Sequence, residues 1–172
     1  VNTLLRKQGK LYGYNTDVAG FRYALEQKLE AVSKADRVLV IGTGGAARAC
    51  LVAISQVLSP LEIAVASRRP ADALDRIAPV LPAPFAPTLL SLSKARKHLH
   101  EFDLIVQATP NGHASNPGFP LEPPFAFKPG ALVFDLIYSP RKTLFLEAAS
   151  SFNAVTENGL VMLLAQAAES YQ

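Results

Sequence analysis

The sequence has one cysteine and no long apolar run, and both features exclude classes of protein. Cys50 is the only cysteine among 172 residues, so no disulfide can form within the chain, as expected for a protein of the reducing cytoplasm. Arg48 interrupts the longest apolar run, and no leader with a cleavage site precedes it. We therefore predict neither a membrane span nor a signal peptide.

The charge and the histidines also point away from some functions. A net charge of +3 and a pI near 9.1 fit an anionic small ligand as well as nucleic acid. The basic run Lys94–His98 has no interleaved aromatic residues, so we interpret it as a solvated helix face. His98, His100 and His113 lack the spacing of metal ligands. The sequence thus favours neither a nucleic-acid site nor a metal site.

The most informative stretch is Val38–Ile54, VLVIGTGGAARACLVAI. Four apolar residues run into glycines and then into an alanine-rich segment, which predicts a buried parallel strand, a tight turn and a helix. A first glycine permits the turn, a second permits close approach of a pyrophosphate, and Ala47 suits helix–strand packing. This pattern favours dinucleotide binding over a plain strand–helix turn.

The residues after the next strand indicate which dinucleotide. The strand ends in Ser67-Arg68-Arg69, and no carboxylate follows until Asp72. Adjacent guanidinium groups suit the 2′-phosphate of NADP, whereas an acidic residue would suit the ribose of NAD. Glu62 lies at the wrong end of that strand to replace it. NADP is the favoured ligand, and a solvated basic turn is the alternative.

Strand and helix patterns alternate along the chain, which predicts an α/β protein with a Rossmann-like, doubly wound parallel sheet of about six strands. A short hairpin (Val1–Leu5 and Leu11–Tyr14) and a helix (Val18–Leu29) precede this sheet. The predicted strands are Val38–Ile41, Leu61–Ala66, Pro87–Leu90, Phe102–Ala108, Ala131–Ile137 and Asn153–Thr156. We expect helices that end near Leu58, pass through Leu74 and Ile77, and span Ser91–His100, Thr143–Ser150 and Asn158–Tyr171.

The chain resembles the shikimate dehydrogenase family, which includes quinate-using relatives. The matching stretches are VNT (Val1–Thr3), LYGYNTDVAGF (Leu11–Phe21), VIGTGGAARA (Val40–Ala49), SRR (Ser67–Arg69), DLIVQATPNG (Asp103–Gly112), VFDLIYSPRKT (Val133–Thr143) and NGLVMLLAQA (Asn158–Ala167). They cover nearly the whole chain. The resemblance implies NADPH-dependent, reversible reduction of 3-dehydroshikimate to shikimate in chorismate and aromatic amino-acid biosynthesis.

The resemblance also implies roles for individual residues. Asp17 matches the catalytic aspartate, and the substrate-binding positions are Asn2, Asp17, Tyr138 and Gln166. The cofactor-binding positions are Gly42, Thr43, Gly44, Gly45, Ala46, Ser67, Arg68, Arg69, Ala108, Thr109, Pro110, Ile137, Gly159 and Met162. Without the resemblance, Asp17 would be interpreted as a helix N-cap and Gln166 as a polar residue of an amphipathic helix.

Several positions depart from the family pattern. Ser67 and Arg69 replace the usual Asn and Thr, Gln107 replaces an Asn, and His113 stands where Met is common. None of the lysines matches the family's catalytic lysine, and the N-terminal substrate domain has no counterpart here. We therefore expect a portion of a longer enzyme that is inactive alone.

We expect residues 1–33 to be a remnant of the substrate domain with a linking helix, residues 34–157 the NADP-binding domain, and residues 158–172 a closing helix. The face that the substrate domain would cover, including the helix Val18–Leu29, is expected to promote homodimer formation. The small-molecule substrate stays open between shikimate and quinate. A quinate/shikimate dehydrogenase that uses NAD, or a non-catalytic NADP(H)-binding regulatory module, is the alternative function.

Overall fold

The computed structural model describes residues 1–30, 35–82 and 85–171. The described residues form a two-stranded antiparallel hairpin and a six-stranded parallel sheet with helices on both faces. The predicted fold class is confirmed. The predicted domain boundary between residues 33 and 34 lies outside the described residues.

The hairpin consists of β1 (Thr3–Lys7) and β2 (Lys10–Tyr14). The large sheet contains β3 (Arg37–Ile41), β4 (Glu62–Ser67), β5 (Thr88–Ser91), β6 (Leu104–Gln107), β7 (Leu132–Asp135) and β8 (Val155–Asn158). Its strand order is β5-β4-β3-β6-β7-β8. The order reverses direction between β3 and β6, and in such sheets ligands bind beyond the carboxyl ends of the strands at this switch point.

The α-helices are α1 (Thr16–Leu29), α2 (Gly45–Val57), α3 (Ala73–Ile77), α4 (Leu92–Lys97), α5 (Leu144–Ser151) and α6 (Leu160–Glu169). The predicted basic helix over Ser91–His100 is too long, because α4 ends at Lys97 and a 3-10 turn, Leu99–Glu101, follows. Ser91 is the N-cap of α4, and its side chain accepts a hydrogen bond from the Lys94 N–H.

Apolar strand residues create a core on each face of the sheet. On one face, Phe21 of α1 contacts Phe134 of β7 edge to face, with ring centroids 5.3 Å apart. On the other face, Phe127 and Phe145 pack in the same geometry at 5.3 Å. Continuous apolar runs such as Val38–Ile41 are fully buried, as parallel strands covered on both faces require.

The largest aliphatic and phenylalanine side chains of α1 lie inside the fold. Phe21 and Leu25 are fully buried, because α1 packs its apolar stripe against α2 and α6. The exposed large apolar side chains of this part of the chain are Leu4 and Leu11 of the hairpin, Tyr23 of α1 and Leu164 of α6. The prediction that this face promotes homodimer formation stays a prediction. Among the described residues, the helices are too short or too polar to cross a membrane.

Candidate functional site

The turn after β3 brings the backbone of two adjacent strands together. Gly42 has a φ of +117°, which favours glycine, and a Cβ there would lie 2.9 Å from the Ala108 carbonyl oxygen. Its N–H donates to the Ala66 carbonyl at 2.8 Å. Gly42 therefore has the backbone conformation that the predicted tight turn requires, and its missing side chain also lets the chain after β6 approach.

The next glycines face open space. Gly44 is the N-cap of α2, and a Cβ built on Gly44 or Gly45 would have no heavy atom within 4 Å. The first N–H groups of a helix have no intrahelical acceptor, and the helix dipole makes this end attractive to anions. The N-terminus of α2 thus offers free donors beside an unfilled space, which suits a phosphate group.

A cavity of about 540 Å³ lies beyond the carboxyl ends of β3, β4 and β6. Three groups of predicted cofactor residues line it together. They are Gly42, Thr43 and Gly44 from the glycine turn, Ser67, Arg68 and Arg69 after β4, and Ala108, Thr109 and Pro110 after β6. Nine of the predicted cofactor positions therefore lie in one cleft.

Other predicted residues do not line this cavity. Gly45 and Ala46 lie in the first turn of α2, behind Gly44. Gly159 precedes α6, where a Cβ would lie 2.0 Å from the Leu136 carbonyl oxygen, so its missing side chain serves packing. Met162 is buried in the core. Ile137 is partly buried outside the lining of the cavity.

Ser67 is the clearest unsatisfied group of the cleft. Its Oγ is buried and has no hydrogen-bond partner among the described residues, although the residue lines the cavity. Buried hydroxyl groups normally have a partner. An Oγ without one at the wall of a cleft is a donor and acceptor available to a bound ligand.

Arg68 and Arg69 form an arginine wall of the cavity, and the Glu62 carboxylate lies far from it. Arg68 and Arg69 are exposed at the carboxyl end of β4. Glu62 lies at the opposite end of the same strand, where its carboxylate accepts from the Arg37 Nε at 2.8 Å. The prediction that Glu62 is at the wrong end of the strand is confirmed.

A buried glutamine holds the loop after β6. The Gln107 Nε2 donates to the Thr109 carbonyl at 3.1 Å and to the Asn111 carbonyl at 2.8 Å, and its Oε1 accepts from the Thr109 N–H at 2.6 Å. Three hydrogen bonds from one fully buried side chain fix the position of Thr109 at the cavity wall. The departure from the family's Asn at position 107 is thus accommodated by the loop.

A buried carboxylate organises the loop after β7. Asp135 is fully buried, and its carboxylate accepts from the Thr143 Oγ1 at 2.6 Å and from the Ile137 N–H at 3.0 Å. Burial raises the pKa of Asp135 from 3.8 to about 6, because the charged form loses its hydration, while the hydrogen bonds oppose this rise. The network closes the loop that presents Tyr138, whose side chain is exposed.

Ionisation of the buried Asp135 is expected to lower the free energy of unfolding as the pH rises. Because its folded-state pKa lies above 3.8, the folded protein retains a proton near pH 5 that the unfolded chain has released. Its contribution to the free energy of unfolding should therefore fall by about 2.4 kcal/mol between pH 4 and pH 7. Urea unfolding of wild type and of Asp135→Asn at several pH values between 4 and 7 measures how the difference between their free energies of unfolding changes with pH.

The matched control for this experiment is Asp75→Asn, since Asp75 is exposed on α3. The difference between Asp135→Asn and wild type should change more with pH than the difference between Asp75→Asn and wild type. A difference for Asp135→Asn that does not change with pH would contradict the raised pKa of Asp135.

A second polar cluster joins the N-terminus to the last helix. The Asn2 Nδ2 lies 2.8 Å from the Asp17 Oδ1, 3.0 Å from the Thr16 Oγ1 and 3.3 Å from the Gln166 Oε1. The Asn2 Oδ1 accepts from the Thr16 N–H at 3.0 Å. The three predicted substrate-binding residues Asn2, Asp17 and Gln166 therefore lie together, although Asn2 and Gln166 are 164 positions apart.

Asp17 is not the N-cap of α1. Asn15 has that position, and its side chain accepts from the Asp17 N–H at 3.2 Å. The Asp17 carboxylate instead accepts from Asn2, and among the described residues it has no other side-chain hydrogen bond. One carboxylate oxygen therefore remains free to accept from a ligand.

Close packing of two helices creates this cluster. A Cβ on Gly20 of α1 would lie 2.7 Å from the Met162 carbonyl oxygen and 2.9 Å from the Gln166 Cβ of α6. The absent side chain lets α1 and α6 approach so closely that Asp17 and Gln166 share Asn2 as a partner. Helical periodicity predicts both helices but not this contact.

Several residues of the first cavity were not predicted from the sequence. Five of them are Arg76, Leu92, Asn111, Asn116 and Pro120, and Asp72 was given no role. Asp72 and Arg76 are four positions apart, a spacing that places side chains on one helix face. Because a helix through Leu74 and Ile77 was predicted, this spacing was the signal from which Asp72 and Arg76 could have been placed beside each other.

Comparison with known proteins relates the whole chain to one group of enzymes. A shikimate dehydrogenase (NADP(+)) of Bacillus cereus is 37% identical over 173 aligned residues, which cover all of this chain and 61% of that protein. By sequence, the whole chain is similar to a part of shikimate dehydrogenases. It spans about 60% of the length of the curated relatives that it matches. No model of a protein family matches.

Solved structures of a quinate dehydrogenase and a shikimate dehydrogenase are similar to nearly the whole chain. A quinate dehydrogenase of Corynebacterium glutamicum in complex with NAD aligns with a TM-score of 0.81 and 26% identity, over 98% of this chain and 60% of that one. A shikimate dehydrogenase in complex with NADP⁺ aligns with a TM-score of 0.75 and 32% identity, over 98% of this chain and 58% of that one.

Proposed function

We propose that this chain is the cofactor-binding portion of a shikimate dehydrogenase that uses NADP(H) to interconvert 3-dehydroshikimate and shikimate. The proposal follows the names of the relatives and rests on the chain's own two polar sites. One is the cleft at the switch point of the sheet, and the other is the cluster of Asn2, Asp17 and Gln166. The expected location is the cytoplasm, and homodimer formation stays a prediction.

The cleft has the chemistry that a dinucleotide requires. The open space above Gly44 and the free N–H groups of α2 suit a pyrophosphate. Arg68 and Arg69 at the end of β4 suit a 2′-phosphate, because guanidinium groups donate to phosphate oxygens in pairs. Thr109, fixed by Gln107, would border the nicotinamide end.

The single observation that carries the cofactor assignment is the buried Ser67 Oγ, which has no partner among the described residues. It lies at the junction of β4 with the arginine wall, where the adenosine ribose meets the protein in folds of this class. A hydroxyl that is buried but unpaired is costly unless a ligand satisfies it. Ser67 thereby fits the position of the family's Asn.

The substrate side needs groups that hold a polyol and move a proton. NADPH supplies a hydride when it is bound. In this chain the free oxygen of Asp17 accepts a hydrogen bond from the substrate hydroxyl at the reacting carbon. Asn2 orients Asp17, and Gln166 offers a further donor and acceptor to the ring hydroxyls.

Complete catalysis requires more than these residues. The family resemblance pairs Asp17 with a lysine, and no lysine of the 172 residues matches that position. We propose that this lysine belongs to the part of the relatives that the chain does not span. Activity is accordingly expected only in a protein that contains that part.

A quinate/shikimate dehydrogenase that uses NAD is the second candidate, and one observation favours it. Asp72 adds a carboxylate to the arginine wall of the cavity, and an acidic residue near this position is typical of NAD binding. A regulatory module that binds NADP(H) without catalysis is the alternative from another class of function.

The test is a calorimetric titration of the chain with NADP⁺ and with NAD⁺. We expect wild type to bind NADP⁺ more tightly, and Arg68→Ala to bind NADP⁺ about 10- to 100-fold more weakly with little change for NAD⁺. The reason is that Arg68 donates charge-assisted hydrogen bonds, each worth about 1.5–3 kcal/mol, to the 2′-phosphate alone.

Arg6→Ala provides the control, since Arg6 is exposed on the hairpin and has no ion pair in the described part of the chain. It should leave both affinities unchanged. Binding of neither nucleotide by wild type would contradict the proposed cofactor site. An equal loss for both nucleotides in Arg68→Ala would contradict the role of Arg68 as a 2′-phosphate ligand.

A further inference from the structure

Four charged side chains form one wall of the cavity, and only two of them belong to the predicted arginine pair. Arg68 and Arg69 follow β4, whereas Asp72 and Arg76 come from the turn and short helix beyond it. Arg76 lies in the last turn of α3 and is exposed. The wall therefore carries three guanidinium groups and one carboxylate.

The four groups are not equivalent in their partners. The Arg69 Nε lies 3.3 Å from the Asp72 Oδ2, and both side chains are more than half exposed. Within the described ranges, the side chains of Arg68 and Arg76 make neither an ion pair nor a hydrogen bond. An exposed pair such as Arg69–Asp72 is worth little, so a dianion can replace Asp72 as the partner of Arg69.

Asp72 acts on the two forms of the dinucleotide in opposite ways. A carboxylate beside a 2′-phosphate repels it, and its repulsion offsets part of the attraction from the arginines. Toward a ribose 2′-hydroxyl the same carboxylate is a hydrogen-bond acceptor. Arg76 differs, since a guanidinium group attracts a phosphate dianion strongly and gains little from a neutral hydroxyl.

We infer that Asp72 and Arg76 set the nucleotide selectivity of this cleft. Arg76 is a third ligand for the 2′-phosphate, and Asp72 limits the preference for NADP by opposing that phosphate and accepting from the 2′-hydroxyl of NAD. The inference rests on the proposed function of the cleft and adds to it two residues from outside the arginine pair.

The experiment measures the affinities of the 172-residue chain for NADP⁺ and NAD⁺ by calorimetry in wild type, Asp72→Asn and Arg76→Gln. In Asp72→Asn we expect NADP⁺ to bind about 3- to 10-fold more tightly and NAD⁺ several-fold more weakly. In Arg76→Gln we expect NADP⁺ to bind about 10-fold more weakly with NAD⁺ unchanged. The ratio of NADP⁺ affinity to NAD⁺ affinity thus rises in Asp72→Asn and falls in Arg76→Gln.

Matched controls come from the same helix and from the hairpin. Asp75→Asn removes a negative charge three positions from Asp72 without touching the cavity, and Arg6→Gln removes a positive charge from the exposed strand β1. Both should keep the wild-type affinity ratio. Arg76→Lys, which retains the charge, should lose less NADP⁺ affinity than Arg76→Gln.

The possible outcomes distinguish a failure of the selectivity inference from a failure of the proposed cofactor site. If wild type prefers NADP⁺ but Asp72→Asn and Arg76→Gln keep its affinity ratio, the inference is overturned and the cofactor site stands. If wild type binds neither nucleotide, both are overturned. Urea unfolding midpoints equal to wild type verify that these substitutions, all at exposed positions, leave the fold intact.

Discussion

Gly159→Ala is expected to destabilise the folded chain by about 3 kcal/mol or more. A Cβ at this position would lie 2.0 Å from the Leu136 carbonyl oxygen and 2.6 Å from its carbon. Both are backbone atoms, so no side-chain rotation relieves the overlap, and either the loop after β7 or the start of α6 must move. Forced repacking of this kind costs at least as much as ordinary overpacking. The free energy of unfolding in urea measures the loss.

The backbone conformation of Gly159 means that the expected loss of stability arises from the overlap with Leu136 alone. Its φ of −72° is accessible to alanine, so conformational strain does not contribute. A free energy of unfolding within about 1 kcal/mol of wild type would mean that α6 can shift away from Leu136 at little cost.

Gly44→Ala is expected to show the reverse pattern, with unchanged stability and at least about 100-fold weaker nucleotide binding. Gly44 has an extended backbone, with φ −77° and ψ −172°, and its Cβ would meet no heavy atom. Stability should therefore stay within about 0.5 kcal/mol of wild type. The added methyl group occupies the space in which a pyrophosphate approaches the first N–H groups of α2.

The magnitude follows from the hydrogen bonds that would be lost. Each hydrogen bond to a charged group contributes about 1.5–3 kcal/mol, so loss of two weakens binding by at least about 100-fold. NADP⁺ and NAD⁺ should lose affinity equally, because both contain the pyrophosphate. Calorimetry with both nucleotides checks this, and affinity within about threefold of wild type would contradict a phosphate site at this turn.

Gly159→Ala and Gly44→Ala serve as controls for each other. Both replace a glycine at the start of a helix with the same residue, yet one glycine faces backbone atoms and the other faces open space. Equal effects on stability would contradict the difference in packing on which both predictions depend.

Local pattern in the sequence was sufficient for the sheet and for the phosphate turn. The apolar run Val38–Ile41 followed by glycines predicts strand, turn and helix, because strand burial and glycine turns depend on neighbouring residues. The arginines after β4 were also predictable, since the end of a parallel strand fixes where the next residues lie. Boundaries were less accurate, as α4 illustrates by ending at Lys97.

The sequence by itself determined the succession of strands and helices along the chain and the glycine turn. It also contains the motif on which the resemblance assigns Asp17. Each of these features depends on residues close together in the chain. Only the tertiary structure decided that Asn2, Asp17 and Gln166 meet, that the Ser67 Oγ is buried with no partner among the described residues, and that Asp72 and Arg76 face the same cleft. These features depend on how closely α1 packs on α6 and on how α3 is turned against the sheet. The contact of Asn2 with Gln166 joins residues 164 positions apart, and no periodic pattern records it. For Asp72 and Arg76, the helical spacing places both side chains on one face but does not show that this face borders the cleft.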